Sequence, residues 1–367
     1  MVKKPFFSIA IPTYNRASDL QFAIYCILYQ SFSDFEIVIS DNCSTDNTKE
    51  ILGKLKDKRI NYYRNKKNVS FAQNVKEVVR HAKGEYVFLH GDDDVLIHKN
   101  SLEKIHEDIV KYNPGYVRLN YVSLALDKKT IFSYRVNKPF KKDEYMEPLL
   151  GNRKVISFIT ESDPYFITGI IFKNSLRSAG IVDSDPYPWI NILFYAVKKF
   201  GAYFVLQPQI VAIWSRRKID RNTEHHIYSL VNGKLKSENY LNAVKDKLNK
   251  KDYTSFLHNE LMLHYVNLFL AIKLHVGNKK MLDLARRIRV LDQTMNKNIN
   301  YWINLIIGLI IPRILLTIAR SVYLQQYGKF SKVDNDDQLV DRLKVLEKGF
   351  LSSRENVIKR KDPIFKF

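Results

Sequence analysis

The alternation of short apolar runs with amphipathic stretches through the first hundred residues constrains this chain more than any other feature. Phe7 to Ile11 is a continuous apolar run ending at Pro12, which reads as a buried strand stopped by a turn. Ser18 and Gln21 form an expected capping box, and Leu20, Ala23, Ile24, Ile27 and Leu28 follow at helical spacing. Glu36 to Ser40 predicts a second strand, and Thr48, Ile51, Leu52 and Leu55 a second helix. Arg59 to Arg64 reads as a third strand. A second capping box, Ser70 with Gln73, opens a helix carried by Val75, Val78, Val79 and Ala82. Glu85 to His90 is a fourth strand, and Leu102, Ile105 and Ile109 mark a helix closed by Asn113-Pro114-Gly115. Strand and helix in strict alternation predict an α/β fold with a parallel sheet, because parallel strands need helical crossovers. Ligands of such sheets bind beyond the carboxyl ends of the strands. The loops Pro12–Arg16, Asp41–Thr48 and Gly91–Asp94 are therefore expected to converge on one crevice.

Residues 115 to 201 pattern less regularly, as α+β, and include a basic stretch from Lys138 to Lys142 that reads as a loop. Val205 to Trp214 predicts one more strand, and beyond Arg221 the chain becomes helical and basic. We therefore expect a domain over residues 1–220 and a helical, basic region over 221–367. The most apolar window, Trp302 to Ala319, is interrupted by Asn304, Pro312, Arg313 and Thr317. A membrane span needs roughly 20 mostly apolar residues, and a central Arg costs about 2.5–3.5 kcal/mol. Two short segments lying in a membrane interface fit better than a span or a buried hairpin. The interfacial segment is expected over 301–327, with Tyr301 and Trp302 anchoring one end and Arg320, Tyr323 and Tyr327 the other.

The formal net charge of +21 points to a polyanionic partner, nucleic acid, an anionic membrane or a phosphorylated substrate, with a lysine-rich coding bias as the plainer alternative. Two cysteines, Cys26 and Cys43, without a CxxC pair, argue for a reducing compartment and against a cysteine zinc site. Met1 to Pro5 runs into the first strand without an apolar signal region, so a cytoplasmic location is expected.

Three motifs carry chemistry. His90-Gly91-Asp92-Asp93-Asp94 places three aspartates at a strand's end, where they repel one another unless a divalent cation such as Mg²⁺ or Mn²⁺ binds. A solvated acidic turn is the plainer alternative. In Asp41-Asn42-Cys43-Ser44-Thr45-Asp46-Asn47-Thr48, helix capping accounts for Ser44 to Asn47 but not for Asp41, which could accept from a base N–H or a ribose hydroxyl. Pro12-Thr13-Tyr14-Asn15-Arg16 is a polar turn after the first strand.

In this order, with Ser8 to Arg16, Ile39 to Thr48, Asn68, Asn74, Lys83-Gly84-Glu85-Tyr86 and Gly91-Asp92-Asp93-Asp94, the chain resembles the family-2 glycosyltransferases of the GT-A fold. The Gly-Asp-Asp-Asp ending looks most like members that build bacterial O-antigen, including the abequosyltransferase-like branch. The resemblance covers about residues 6 to 215. It implies a Rossmann-like, mostly parallel sheet flanked by helices. It implies donor-site roles for Pro12, Thr13, Tyr14, Asn15, Asp41, Asn74, Asp92 and Arg216, and metal ligation of Mn²⁺ or Mg²⁺ by Asp92 and Asp94. Asp93 would face the donor sugar. An inverting member also needs a base near the acceptor hydroxyl. Gly169, Phe172-Lys173 and Gly180 match the approach to the element that supplies it, and Trp189 to Val197 matches the helix after that element. The family's acidic pair is replaced here by Tyr187-Pro188. Asp185 is the expected base, with an ordinary turn at Asp185-Pro186 as the competing reading. Arg216, in Trp214-Ser215-Arg216-Arg217, is expected on the diphosphate, with a solvated basic loop as the competing reading, and His225-His226 reads as surface.

The implied activity is transfer of a sugar from a nucleotide-sugar donor, UDP by default, to a glycan or polyprenyl-diphosphate-linked acceptor. It would take place in bacterial surface polysaccharide synthesis, peripherally on the inner face of the cell membrane. A catalytically weak GT-A scaffold is one alternative. A nucleotidyltransferase is another, disfavoured because residues 8 to 20 contain no glycine for a phosphate loop. Nucleic-acid binding through Lys54 to Lys67, with Tyr62 and Tyr63 stacking, lacks a module signature, and no nucleic-acid partner is expected.

Overall fold

A computed structural model describes residues 4–124, 131–134, 142–148, 151–162, 164–181, 187–213, 230–231, 233–235 and 237–319, with positions 322, 345 and 348. The described residues fall into two compact units. One holds the described residues from 4 to 181 and from 188 to 213. The other holds those from 230 to 319 together with Tyr187.

In the first unit the strands are β1 (Phe7–Thr13), β2 (Phe35–Asp41), β3 (Ile60–Arg64), β4 (Tyr86–Leu89), β5 (Asp94–Leu96), β6 (Tyr116–Leu124), β7 (Ile131–Tyr134), β8 (Glu144–Met146), β9 (Ile170–Lys173) and β10 (Ala202–Ile213). The helices are α1 (Ala17–Leu28), α2 (Thr48–Lys54), α3 (Phe71–His81), α4 (Ser101–Tyr112), α5 (Asn152–Glu161) and α6 (Ile190–Phe200). One ten-stranded sheet runs in the order β3-β2-β1-β4-β9-β6-β10-β5, with β7 on β6 and β8 on β10. β1 to β4 are mutually parallel; β9 runs against them and restores the direction for β6 and β10. The sheet is thus mostly parallel. β1 and β2 are buried along their whole length, as strands covered on both faces must be. Their Phe7, Ile9, Ile11, Ile37 and Ile39 join Ile24 of α1, Phe88 of β4 and Leu119 of β6 in the core.

Two local expectations need correction. Pro12 does not stop β1: the strand continues to Thr13, with Pro12 opposite Ser40. Along β1 the backbone groups face β4 and β2 in turn, since Ala10 O accepts from His90 N and Thr13 O accepts from Asn42 N. Pro12 therefore faces the β4 side, where β4 has already ended at Leu89, and its missing N–H costs no ladder bond. Nor do Ser18 and Gln21 cap α1. Arg16 is the N-cap residue without a side-chain bond, and the Ala17 N–H is taken by Asp46 Oδ2 of the following loop at 3.1 Å. A distant carboxylate does what the local motif was expected to do. At α3, by contrast, Ser70 Oγ accepts from Gln73 N as the spacing predicts.

The second unit contains the short hairpin β11 (Leu230–Val231) and β12 (Lys234–Leu235), then α7 (Glu238–Lys245), α8 (Lys250–His264), α9 (Phe269–Leu291), α10 (Ile299–Ile310) and α11 (Arg313–Ala319). α9 breaks at Gly277, where φ is 83°. Arg287 grips the Glu238 carboxylate through two nitrogens at 2.8 and 2.7 Å. α10 and α11 meet at 99° around Pro312, and among the described residues no single helix is long and apolar enough to cross a membrane. Lys273, itself buried, donates to Leu309 O at 3.3 Å and Ile311 O at 2.5 Å, and Arg313 Nε donates to Leu274 O. The two Lys273 bonds satisfy carbonyls left open at the end of α10, and the Arg313 bond one in α9 just before its break at Gly277. Tyr301, Leu305 and Gly308 are buried, while Ile303, Ile306, Ile307, Ile310, Ile314 and Ile318 are exposed. Tyr301 is therefore unavailable as an interfacial anchor: its hydroxyl donates to Ala285 O inside the unit. Trp302 keeps a partly exposed ring. Arg320, Tyr323 and Tyr327 lie outside the described residues.

Candidate functional site

The three loops expected to converge are tied together by side chains. β1 ends at Thr13, whose hydroxyl donates to Asp92 Oδ2 at 2.7 Å. Asn15 N donates to Ser44 Oγ at 2.9 Å, and Asn15 Oδ1 accepts from Thr45 N at 2.7 Å and from Asp46 N at 3.3 Å. Arg16 forms an ion pair with Asp93, with its Nε 3.8 Å from Asp92 Oδ1. Asn15 and Cys43 have positive φ, 54° and 61°, two of the three non-glycine cases among the described residues. Such backbone costs energy and persists where surrounding bonds determine it.

Asp41 closes β2 with its side chain fully buried. Its Oδ1 accepts from Ser44 N at 2.8 Å and its Oδ2 from the Tyr62 hydroxyl at 2.6 Å, with Arg64 Nε at 3.3 Å. Burial, followed by the bond to Asp41, raises the pKa of the Tyr62 hydroxyl and keeps it a donor. Neither Tyr62 nor Arg64 is assigned to the donor site from the sequence, where they look like positions of a basic strand. Their signal is the register of β3, which sets Arg64 opposite Asp41. Tyr63 stacks on His81 at 3.5 Å between ring centres. Both tyrosines suggested for base stacking are thus engaged within the protein.

Asn74 is also buried and committed. Its Oδ1 accepts from Ser40 Oγ at 2.8 Å and from Asn65 Nδ2 at 2.9 Å, and its Nδ2 donates to Ser40 O. It braces the end of β2. Pro12 lies in the strand, while Tyr14 is exposed at 44%. Asp185 and Arg216 lie outside the described residues, as do Asp183, Trp214, His225 and His226.

The acidic turn is the electrostatic centre. Asp92 and Asp94 are buried. Burial, reinforced by the charge on Asp93, pushes the Asp92 carboxyl up to about 7 and the Asp94 carboxyl well above the ordinary range. Burial raises Asp93 too, against the pull of Arg16. The Asp94 carboxylate accepts from the Thr168 hydroxyl. Arg16 and Thr168, neither assigned a role from the sequence, are thus direct partners of these acids. His90, fully buried, has its pKa lowered to about 4 by burial, so the ring is neutral; its Nδ1 lies 2.7 Å from Gly91 O. Among the described residues no group of three or more His, Cys, Asp or Glu side chains is arranged to hold a metal ion. Asp92 and Asp94, the pair expected to ligate a metal, accept from the hydroxyls of Thr13 and Thr168.

The glycosyl transferase family 2 profile matches residues 8–159. An Escherichia coli UDP-Glc:alpha-D-GlcNAc-diphosphoundecaprenol beta-1,3-glucosyltransferase is 33% identical over 200 residues, covering 52% of this chain and 71% of that protein. A Campylobacter jejuni GalNAc(5)-diNAcBac-PP-undecaprenol beta-1,3-glucosyltransferase is 25% identical over 346 residues, covering 90% of this chain and 97% of that one. Among solved structures, S. aureus TarS 1–349 in complex with UDP-GlcNAc aligns with a TM-score of 0.55 at 16% identity, over 88% of this chain and 89% of that one. The chain belongs to glycosyltransferase family 2. Its fold is the GT-A fold, an α/β sheet followed by a helical region, and its activity is glycosyl transfer.

Proposed function

We propose that the chain transfers a sugar from a UDP-sugar to a polyprenyl-diphosphate-linked saccharide at a membrane surface, with inversion at the sugar carbon. The observation that carries the donor site is the junction of Thr13, Asp41 and the acidic turn at the carboxyl ends of β1, β2 and β4. Asp41 has about four acceptor positions, and Ser44, Tyr62 and Arg64 occupy three. Asp41 is our assignment for the group that meets the base or ribose of the donor. Hard carboxylate oxygens, buried together against one guanidinium and short of positive charge, fit a divalent cation. Asp92 and Asp94 would hold Mn²⁺ or Mg²⁺, which offsets negative charge on the leaving diphosphate when bound. Arg16 pairs with Asp93 beside them, and Thr13 fixes Asp92.

In the reaction the acceptor hydroxyl loses its proton to a carboxylate, for which Asp185 is our assignment. The oxygen bonds to the anomeric carbon as the bond from that carbon to the diphosphate breaks, and UDP leaves. The Escherichia coli and Campylobacter jejuni relatives both form beta linkages on undecaprenol-linked acceptors. That supports inversion, a UDP-glucose donor as the first to test, and bacterial surface polysaccharide synthesis as the setting. The exposed apolar faces of α10 and α11, with the charge of +21, support seating on the inner, anionic face of the cell membrane.

Calorimetric titration with UDP, CDP, GDP and dTDP, with and without Mn²⁺, tests the donor site. UDP binding that needs Mn²⁺ and vanishes in Asp94→Ala is expected; equal binding by Asp94→Ala overturns it. Glucose transfer from UDP-glucose to a synthetic polyprenyl-diphosphate disaccharide tests the reaction. Co-sedimentation with phosphatidylglycerol vesicles, reduced by Ile303→Asp with Ile307→Asp, tests the surface.

A further inference from the structure

The direction of the Asp94 carboxylate is set from outside the acidic turn. Its Oδ2 accepts from the Thr168 hydroxyl, and that hydroxyl oxygen also accepts from Gly91 N at 2.7 Å. Thr168 lies just before β9, more than seventy residues from the acid it touches. Gly91 permits the approach: a Cβ there would overlap Asp94 Oδ2 and stand 2.9 Å from Thr168 Oγ1. Gly169, at φ 89°, turns the chain beneath and donates its N–H to Leu89 O.

What holds Thr168 is a buried cation. Arg118 of β6 is 1% exposed, and among the described residues it has no carboxylate partner. Its Nη1 donates to Thr168 O at 2.7 Å and its Nε to Ser162 O at 3.2 Å, and the guanidinium lies 5.6 Å from the centre of the Tyr121 ring. Nη2 is buried without a partner among the described residues. A buried charge lacking an ion partner is costly, and an apolar side chain would suit a core strand better. Retaining the guanidinium is intelligible if its rigid fork fixes a backbone turn that function requires.

We infer that Thr168, anchored through its carbonyl by Arg118, is a positioning residue that aims the Asp94 carboxylate at the donor diphosphate. The inference rests on the reading of Asp94 as a donor-site ligand. Thr13 plays the matching part for Asp92, so hydroxyls from two separate elements hold the first and third acids of the turn. Losing a hydrogen-bond partner behind a metal-binding side chain costs about 10–100-fold in affinity.

The test compares Thr168→Val, which removes the hydroxyl at nearly constant volume, with Thr168→Ser, which keeps it. Calorimetry gives the UDP affinity of each with Mn²⁺, and a thermal melt of the ligand-free protein checks folding. We expect Thr168→Val to weaken Mn²⁺-dependent UDP binding about tenfold or more while Thr168→Ser stays within about threefold. Arg118→Lys, which keeps the charge but loses the planar fork that reaches both carbonyls, is expected to fall between them. If Asp94→Asn abolishes binding and Thr168→Val binds as tightly as the wild type, the inference fails and the donor site stands. Equal losses in Thr168→Ser and Thr168→Val also overturn it, since the hydroxyl would then not be the cause. An Asp94→Asn protein that binds normally overturns the donor reading, and the inference with it.

Discussion

Asp92→Asn should make the ligand-free protein more stable, although it damages the site. In the unfolded chain this carboxyl ionises near 3.8, while in the folded protein burial and Asp93 hold its proton to about 7. Between those values the folded state binds more protons than the unfolded one, so stability is lost as pH rises through about 7. A rise from 3.8 to about 7 corresponds to about 4 kcal/mol in full. Asparagine has no such loss, and its amide oxygen can still accept from Thr13. Part of the gain is returned because Arg16 loses a contact at 3.8 Å, so about 2–3 kcal/mol should survive near pH 8. For a unit of this size that is about 4–10 °C in melting temperature. The assay is a thermal melt of both proteins from about pH 4.5 to 8.5 without metal. The difference should be near zero at the acid end and grow toward pH 8. Saturating Mn²⁺ with UDP should raise the wild-type midpoint and not the variant's, closing or reversing the gap. A difference that ignores pH, or a variant less stable than wild type near pH 8, would refute the electrostatic reasoning.

His90 titrates with the opposite sign. Its folded pKa near 4 lies below the ordinary 6.5, so acid favours the unfolded state across that window, by about 3 kcal/mol in full. Urea denaturation at about pH 5 and pH 7.5 should show this acid loss shrinking in His90→Gln; identical pH dependence in the two proteins counts against it. Tyr62→Phe strips a donor from the buried Asp41 and should cost about 1–3 kcal/mol in urea denaturation, with weaker UDP binding. A loss within error would mean that Ser44 and Arg64 satisfy the carboxylate alone. Lys273→Met leaves the carbonyls of Leu309 and Ile311 without their donor and should lower stability by about 1–3 kcal/mol. An unchanged melting curve would show that Pro312 alone sets the bend.

How much of the molecule is legible in the chain divides by range. β1 to β4 and α1 to α4 follow from residues within one or two turns of each other, because apolar periodicity reports which face of a strand or helix is covered. β5, three residues long, leaves no such trace, since a strand so short has no period to display. The break at Pro312 is legible because a ring without an N–H acts on its own neighbours. The failures at Pro12 and at Ser18 share one cause. Whether a proline ends a strand depends on where the next strand stops. Whether a serine caps a helix depends on whether another loop brings a better acceptor.

The site divides the same way. Asp41, Thr13 and the three aspartates stand out because strands of one direction carry their carboxyl ends to one side of a sheet. Arg16, Tyr62, Arg64, Thr168 and Arg118 do not, because each matters through a partner distant in sequence: Arg16 through Asp93, Tyr62 and Arg64 through Asp41, Arg118 and Thr168 through Asp94. The sequence by itself determined the four parallel strands at the start of the sheet, the family and the location of the acids, all of which depend on local pattern and chain direction. Only the tertiary structure decided which hydroxyls and cations face those acids and how far their protons are held. Burial and partner distance are properties of the packed chain, and no single segment of it carries them.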